Sequence, residues 1–130
     1  MPTIMLVEDD KTMLSLLETL LQLEGFEVDK AGDENIETII ARLCQKLPDL
    51  ALLDVHLRKG NGLDLLRRIR QIPQLKNLRV IMASGLNVKS ECLLAGADNF
   101  IMKPFMPDEL IKLINKTIQK STEFHQKEKG

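Results

Sequence analysis

The chain is predicted to fold as an α/β three-layer sandwich around a five-stranded parallel sheet. Short apolar runs alternate five times with segments whose apolar residues recur at helical spacing, which is the pattern of repeated strand–helix units. The third run, residues 50–53, is apolar at every position, as is typical of a central parallel strand covered by helices on both faces. The polar residues that follow the runs would then meet at one edge of the sheet, where ligands bind in such folds.

The first half of the chain is predicted to contain three strands and two helices. Residues 3–7 form an apolar run that ends in acidic residues, and the helix after it closes at Gly25. Phe26 and Val28 alternate with charged residues, as in a half-buried strand, and Pro48 ends the second helix before the third strand begins. The two helical stripes consist of Met13, Leu17, Leu20 and Leu21, and of Ile36, Ile39, Ile40 and Leu43.

The second half is predicted to contain two further strands, at residues 80–83 and 100–102. A loop over residues 60–62 precedes the third helix, which Pro73 stops, and a short helix over residues 88–94 lies between the two strands. The third and last helices carry apolar stripes made of Leu63, Leu66 and Ile69, and of Leu110, Leu113, Ile114 and Ile118.

The length of 130 residues is sufficient for one domain with a single core. The apolar pattern fades from Ser121, so we expect a domain over residues 1–120 and a polar tail or the start of a linker over residues 121–130. His125 lies in that tail and has no evident role.

The composition argues against nucleic-acid and membrane functions. The formal net charge is −1, and the aromatic residues are four Phe with no Tyr or Trp, so electrostatic attraction and stacking platforms for nucleic acid are both missing. No run approaches the roughly 18 apolar residues that a membrane span needs. Cys44 and Cys92 lie in helical patterns without Cys-x-x-Cys spacing, which predicts two buried, reduced thiols and a cytoplasmic protein.

Acidic residues follow two of the predicted strands. Glu8 and Asp9 come after the first strand and Asp54 after the third. Acidic groups are also favoured at a helix start, although Asp10 is better suited to that role than Glu8 or Asp9. A carboxylate beside a core is costly to bury unless it is paired or metal-bound, which makes Asp54 the strongest candidate. Three carboxylates without a His or Cys cluster indicate a hard cation such as Mg²⁺.

Ser84 and Lys103 follow the last two strands and complete the predicted site. Taken alone, Ser84-Gly85 is also the sequence of an ordinary turn, and Lys103 is also an ordinary exposed lysine. At a shared sheet edge, the N–H of Gly85 would be open to a phosphoryl oxygen, and Lys103 would pair with Asp54 or with a phosphate. His56 is expected in a loop with a solvated side chain. A carboxylate, a metal, a hydroxyl and an ammonium together indicate phosphoryl chemistry.

In this order, the motifs strongly resemble the receiver domain of bacterial two-component response regulators. The resemblance covers residues 3 to about 120 and rests on the combination, since each motif alone is weak. It implies the flavodoxin-like strand order 2-1-3-4-5. The motifs are Leu6-Val7-Glu8-Asp9-Asp10, Leu52-Leu53-Asp54-Val55-His56-Leu57, Gly60-Asn61-Gly62-Leu63-Asp64-Leu65-Leu66, Met82-Ala83-Ser84-Gly85, Ala95-Gly96-Ala97-Asp98-Asn99-Phe100 and Lys103-Pro104-Phe105.

The resemblance implies a role for each residue of the predicted site. Asp54 matches the aspartate that takes a phosphoryl group from a histidine kinase and forms an acyl phosphate. Asp9 matches a direct Mg²⁺ ligand, Glu8 a ligand acting through water, and the carbonyl of His56 the backbone ligand. Lys103 matches the lysine that contacts the phosphoryl group.

The resemblance also implies a switch. Ser84 matches a hydroxyl that moves toward the phosphoryl oxygens, Phe100 matches an aromatic residue that turns inward behind it, and Pro104 matches a position that follows a cis peptide. The implied protein catalyses only its own phosphorylation and dephosphorylation. Its implied partners are a sensor histidine kinase or histidine phosphotransfer protein and an output partner or output domain, so the chain is a stand-alone regulator or part of a longer protein.

The sequence departs from the family pattern at three places. Arg58 occupies a position where the family usually has proline, the segment from Ser84 to Lys103 is shorter by about one helical turn, and Phe100 lacks the hydroxyl of a tyrosine.

Two alternative functions are considered. One alternative is a receiver-like module that binds partners without phosphorylation. The other is a Mg²⁺-dependent phosphohydrolase, which would need a second aspartate where His56 stands.

Overall fold

Five strands form the central sheet in a computed structural model, which describes the backbone of residues 1–129 and the side chains of residues 1–119. All four strand pairings are parallel, and the order across the sheet is β2-β1-β3-β4-β5, which confirms the predicted topology. Each crossover between parallel strands carries a helix. The strands are β1 (Thr3–Val7), β2 (Glu27–Ala31), β3 (Leu50–Asp54), β4 (Arg79–Ser84) and β5 (Asn99–Met102).

Five α-helices cover the two faces of the sheet. Within the part of the chain that the structure describes, none of them has both the length and the apolar character needed to cross a membrane. The helices are α1 (Lys11–Leu23), α2 (Ile36–Lys46), α3 (Gly62–Gln71), α4 (Lys89–Leu94) and α5 (Pro107–Lys129).

Two small elements were not predicted from the sequence. Residues 56–57 pair antiparallel with residues 60–61 in a two-stranded ribbon between β3 and α3, and a 3₁₀ helix spans Pro73–Leu75. The ribbon lies in the segment that the Gly60-Asn61-Gly62 sequence marked only as a loop. Both elements are too short to show a periodic pattern of their own.

The core consists of two hydrophobic layers, one on each face of the sheet. Leu50 and Leu52 belong to the layer under α1 and α5, whereas Ala51 and Leu53 belong to the layer under α2, α3 and α4. This division explains why the whole run is apolar, because successive side chains of a strand point to opposite faces. Burying each large aliphatic side chain contributes about 1.5–3 kcal/mol, so both layers stabilise the strand ends that carry the polar residues.

Side-chain caps fix where three of the helices begin. Asp10 accepts a hydrogen bond from the N–H of Met13 at 3.0 Å, so Asp10 is the cap of α1, as the sequence predicted. Asn35 and Asn61 cap α2 and α3 in the same way. The predicted short helix before β5 is confirmed as α4, which has six residues.

The predictions for the cysteines and for the tail have different outcomes. Cys92 is buried as predicted, but the prediction for Cys44 was wrong, because this thiol on α2 is only partly buried. The backbone of α5 continues to Lys129. The domain end at residue 120 stays a prediction, and the side chains of the tail, including His125, lie outside the described residues.

Candidate phosphoryl-transfer site

The carboxyl ends of four strands bring the predicted site residues to one edge of the sheet. Glu8 follows β1, and its N–H donates to the carbonyl of Ala31 at the end of β2. Asp54 is the last residue of β3 and pairs in register with Ala83, so Ser84 lies one residue further along the adjacent strand. Parallel strands place these ends together, as the sequence analysis expected.

Three carboxylates form a cluster at this edge. One oxygen from each of Glu8, Asp9 and Asp54 lies within 4.8 Å of the other two, which makes this a group that could hold a metal ion. The Glu8 side chain is 7% exposed and the Asp54 side chain 12% exposed, whereas Asp9 is partly exposed to solvent. Anionic groups this close and this poorly hydrated need a positive charge nearby.

Lys103 supplies one positive charge to the cluster. Its Nζ atom lies 3.0 Å from Oε1 of Glu8 and 3.1 Å from Oδ2 of Asp54, and Lys103 follows β5 directly before a cis peptide bond to Pro104. Burial by itself lowers the pKa of Lys103, but the contacts with Glu8 and Asp54 outweigh burial, and the net shift of this pKa is upward. Lys103 is therefore a fixed cation between two carboxylates.

Lys103 only partly offsets the factors that raise the pKa of Glu8. Burial raises the pKa of Glu8 to about 8, a hydrogen bond and charge repulsion with Asp54 act in the same direction, and Lys103 opposes them. Among the described residues, Oε2 of Glu8 is buried and has no hydrogen-bond partner. A free buried oxygen beside two other carboxylates fits a hard divalent cation, which takes oxygen ligands and would remove the repulsion.

Ser84 and Phe100 lie on the neighbouring strands β4 and β5. Ser84 is fully buried, and its Oγ atom accepts a hydrogen bond from the N–H of Leu86 at 3.0 Å. Phe100 pairs in register with Met82 and is partly buried against the layer under α2, α3 and α4. The structure therefore places Ser84 at the end of β4, beside the strand that ends in Asp54, and the aromatic ring of Phe100 partly in contact with the core.

His56 lies next to the site, but its side chain is exposed, as the sequence predicted. The N–H of His56 donates to Oδ1 of Asp54 at 3.3 Å. Oδ1 of Asp54 therefore faces a backbone donor while Oδ2 faces the ammonium of Lys103.

Two glycines allow the backbone to pack closely around the site. A Cβ atom on Gly32 would collide with the carbonyl oxygen of Glu8, and one on Gly62 would collide with the carbonyl oxygen of Asp54. Any side chain at these positions would displace the backbone that carries two of the carboxylates. Gly32 belongs to no motif in the sequence and Gly62 only to a loop signal, because a close approach across the fold leaves no local pattern.

A contact between Arg58 and the carboxylate cluster was not predicted from the sequence. The backbone N–H of Arg58, near the tip of the ribbon, donates to Oδ2 of Asp9 at 2.5 Å. The signal in the sequence was the presence of a residue with an N–H at this position instead of proline.

Arg70 is a second residue for which the sequence carries no recognisable signal. Its guanidinium is partly buried and donates to the carbonyls of Gly96 at 2.9 Å and Leu78 at 2.7 Å, and to Oδ2 of Asp98 at 3.1 Å. The same Asp98 oxygen accepts from the N–H of Val80 at 2.8 Å. Arg70 thus connects α3 to the segment between α4 and β5.

Comparisons with known proteins agree with this geometry. A family model described as "Response regulator receiver domain" matches residues 4–115. The phosphate regulon transcriptional regulatory protein PhoB of Rhizobium meliloti is 37% identical over 126 residues, which cover 93% of this chain and 54% of PhoB. The chemotaxis protein CheY of Bacillus subtilis is 33% identical over 118 residues, which cover 88% of this chain and 96% of CheY. The chain therefore spans about half the length of PhoB and nearly all of CheY.

A solved structure gives the same result for the fold. The crystal structure of a CheY-like response regulator receiver domain protein from Methanospirillum hungatei superposes with a TM-score of 0.84 at 27% sequence identity. The superposition covers 95% of this chain and 98% of that one.

Proposed function

Because the chain belongs to the response regulator receiver domains of two-component systems, we propose that Asp54 accepts a phosphoryl group from a phosphohistidine. The donor is a sensor histidine kinase or a histidine phosphotransfer protein. The observation that carries the proposal is the placement of Lys103 Nζ between Asp54 and Glu8, with Asp9 completing the carboxylate cluster.

In the proposed reaction an oxygen of Asp54 attacks the phosphorus atom of the phosphohistidine. A P–O bond forms, the P–N bond breaks, and its electron pair stays on the imidazole nitrogen of the donor. The products are an aspartyl phosphate and a neutral histidine. Lys103 orients the attacking carboxylate beforehand and then faces the phosphoryl oxygens as a point charge. The chain catalyses only this transfer and the later hydrolysis of its own acyl phosphate.

The proposed metal is Mg²⁺, held by Asp9 and Asp54 directly, by Glu8 through water, and by the backbone carbonyl of His56. The unpartnered Oε2 of Glu8 and the oxygen-only donor set support this choice. When bound, Mg²⁺ supplies positive charge for the oxygens of the transferring phosphoryl group. Hydrogen bonds from Lys103 Nζ and from the N–H of His56 hold the Asp54 carboxylate at the end of β3, where a donor can approach.

The proposed output is a two-state switch read through Ser84 and Phe100. The hydroxyl of Ser84 gives up its contact with the N–H of Leu86 and donates to a phosphoryl oxygen instead. Phe100, already partly buried, then turns further inward, and a partner-binding surface changes.

The recipient of the signal is a partner protein or an output domain. No nucleic acid is bound through this domain, given the net charge of −1. We place this exchange in the cytoplasm, where reduced thiols such as Cys44 and Cys92 persist.

Intact-mass spectrometry after incubation with acetyl phosphate and Mg²⁺ tests the phosphoryl transfer. One added phosphoryl group is expected on the wild type and on the control Asp64→Asn, because Asp64 is exposed on α3. Asp54→Asn should show no mass increase. A mass increase that persists in Asp54→Asn would overturn the assignment of the nucleophile.

Calorimetric titration with Mg²⁺ tests the metal ligands. Asp9→Asn should weaken binding far more than Asp10→Asn, since Asp10 caps α1 and asparagine is an equally good cap. The two variants make the same chemical change at adjacent residues, so equal losses would mean that Asp9 is not the main ligand.

A further inference from the structure

The loop after β3 is tied to the carboxylate cluster by a backbone hydrogen bond. The N–H of Arg58 donates to Oδ2 of Asp9, and these residues are 49 positions apart in the chain. Among the described residues, this N–H is the only hydrogen-bond donor to the Asp9 carboxylate. Asp9 does not cap α1, because Asp10 does. The bond to Arg58 is therefore what fixes the orientation of the Asp9 side chain.

The donor itself is held firmly with respect to Asp54. Leu57 pairs with Gly60 across the ribbon and packs against the core, so Arg58 lies at the turn of a hydrogen-bonded hairpin. The N–H of Gly62 donates to the carbonyl of Val55 at 2.7 Å, which closes the base of the ribbon onto the end of β3. The N–H of Arg58 thus holds the Asp9 carboxylate, which follows β1, in a fixed position relative to the end of β3.

We infer that the backbone amide of Arg58 positions Asp9 for the cation and thereby sets the Mg²⁺ affinity of the site. This inference rests on the metal site of the proposed function. Carboxylates that bind a metal are held by outer hydrogen bonds, and loss of such a partner typically weakens metal binding by about 10–100-fold. A carboxylate has lone pairs to spare, so Asp9 can accept from Arg58 and still offer an oxygen to a cation.

Two substitutions at position 58 separate the amide from the side chain. Arg58→Ala removes the guanidinium and keeps the N–H, whereas Arg58→Pro removes both. Proline requires a negative φ, and Arg58 meets this requirement, because Leu47 is the only non-glycine among the described residues with a positive φ. The residue before a proline prefers extended backbone, which Leu57 already has in the ribbon.

The measurement is a calorimetric titration with MgCl₂ of wild type, Arg58→Ala, Arg58→Pro and Asp9→Asn at one pH and ionic strength. Arg58→Pro should bind Mg²⁺ about 10-fold or more weakly than Arg58→Ala, which removes the same charge. Melting temperatures in EDTA should show that both position-58 variants are folded at the temperature of the titration, so that a difference in Mg²⁺ affinity does not come from unfolded protein.

The outcomes distinguish this inference from the metal site itself. Equal affinities of Arg58→Pro and Arg58→Ala, with Asp9→Asn still weak, would overturn the role of the amide and leave the site intact. Absence of Mg²⁺ binding by the wild type would overturn the site and this inference together.

A second measurement tests the contact between the Arg58 amide and Asp9 even if Arg58→Pro does not fold. In ¹H–¹⁵N spectra without metal, Asp9→Ala should move the Arg58 amide proton upfield, since a charged acceptor is lost, while Asp10→Ala should leave it nearly unchanged. An Arg58 amide that does not respond to Asp9→Ala would refute the inference.

Discussion

Lys103 Nζ lies 3.1 Å from Oδ2 of Asp54, so the proposed nucleophile carries an ion pair before any donor arrives. The same ammonium contacts the buried Glu8 at 3.0 Å. Lys103 therefore has two functions in the metal-free protein, because it orients Asp54 and also reduces the repulsion between two carboxylates.

Lys103→Met should destabilise the metal-free protein by about 1–3 kcal/mol at pH 8.5, where Glu8 loses its proton, and by less at pH 6. Urea unfolding in EDTA at the two pH values measures the difference. Lys112→Met on α5 is the matched control, since Lys112 is exposed and its loss should change stability by less than about 0.5 kcal/mol. A Lys103→Met effect as small as the control would show that the pair adds nothing to stability.

Asp9→Asn should raise the melting temperature in EDTA by about 3 °C, or about 1 kcal/mol, and should abolish the additional stabilisation by Mg²⁺. Carboxylates this close repel by on the order of several kcal/mol before screening, and the substitution removes one charge. Asparagine can still accept the N–H of Arg58, and α1 keeps its cap at Asp10. Differential scanning calorimetry with Asp10→Asn as the control tests the sign, and a lower melting temperature for Asp9→Asn would contradict the repulsion argument.

The metal-free protein should lose stability as pH rises from 6 to 8.5. The pKa of Glu8 is raised by burial from 4.5 to about 8, so between these values the folded state binds more protons than the unfolded state. By linkage, Glu8 increases the free energy of unfolding at low pH. This contribution is lost as the pH rises through the pKa of Glu8 in the folded state. The expected loss is about 2 kcal/mol, and Mg²⁺ affinity should rise over the same range because the cation competes with the proton.

Glu8→Gln should remove most of this pH dependence, while Glu27→Gln, at an exposed position, should leave it unchanged. Chemical denaturation in EDTA at several pH values compares the slopes. Identical slopes for wild type and Glu8→Gln would mean that Glu8 ionises normally in the folded protein.

Arg70→Ala should cost about 2–4 kcal/mol of stability. The substitution removes the guanidinium donor from the carbonyls of Leu78 and Gly96 and one of the two hydrogen bonds to Oδ2 of Asp98, which keeps its bond from the N–H of Val80. Arg67→Ala is the control, since Arg67 makes an exposed ion pair with Asp64 on the same helix and should cost less than about 1 kcal/mol. Urea unfolding that gives equal losses for the two variants would show that Arg70 is an ordinary surface residue.

The sequence predicts best where a local pattern and a global rule coincide. The run from Leu50 to Leu53 indicates a central strand, and parallel strands must end at the same edge, so the residue pattern alone was enough to place Asp54 and Lys103 at one site. The same reasoning places Ser84 at this edge, because it is the last residue of β4, and its role as a switch stays a prediction. The contact of Lys103 with Glu8 was not foreseen, since it depends on how the ends of β1 and β5 approach β3 in space.

The contacts that escaped prediction are made by groups with no sequence pattern. The Arg58 N–H is a backbone donor that any residue except proline has, and only the ribbon brings it to Asp9. Arg70 is an arginine on α3, like its exposed neighbours Arg67 and Arg68. It differs from them because the segment around Gly96 partly buries its side chain. Position in the assembled fold, which residue type alone does not encode, decides these cases.

The 95-residue separation between Glu8 and Lys103 has a consequence for protein synthesis. A nascent chain carries Glu8, Asp9 and Asp54 long before the ribosome has added Lys103, so the acidic residues exist for a time without their lysine. Since domains generally fold as units during translation, the complete site should arise late and in one cooperative step. A kinase that meets an unfinished chain would therefore find no competent acceptor, and signalling would be limited to molecules whose fold is complete through β5.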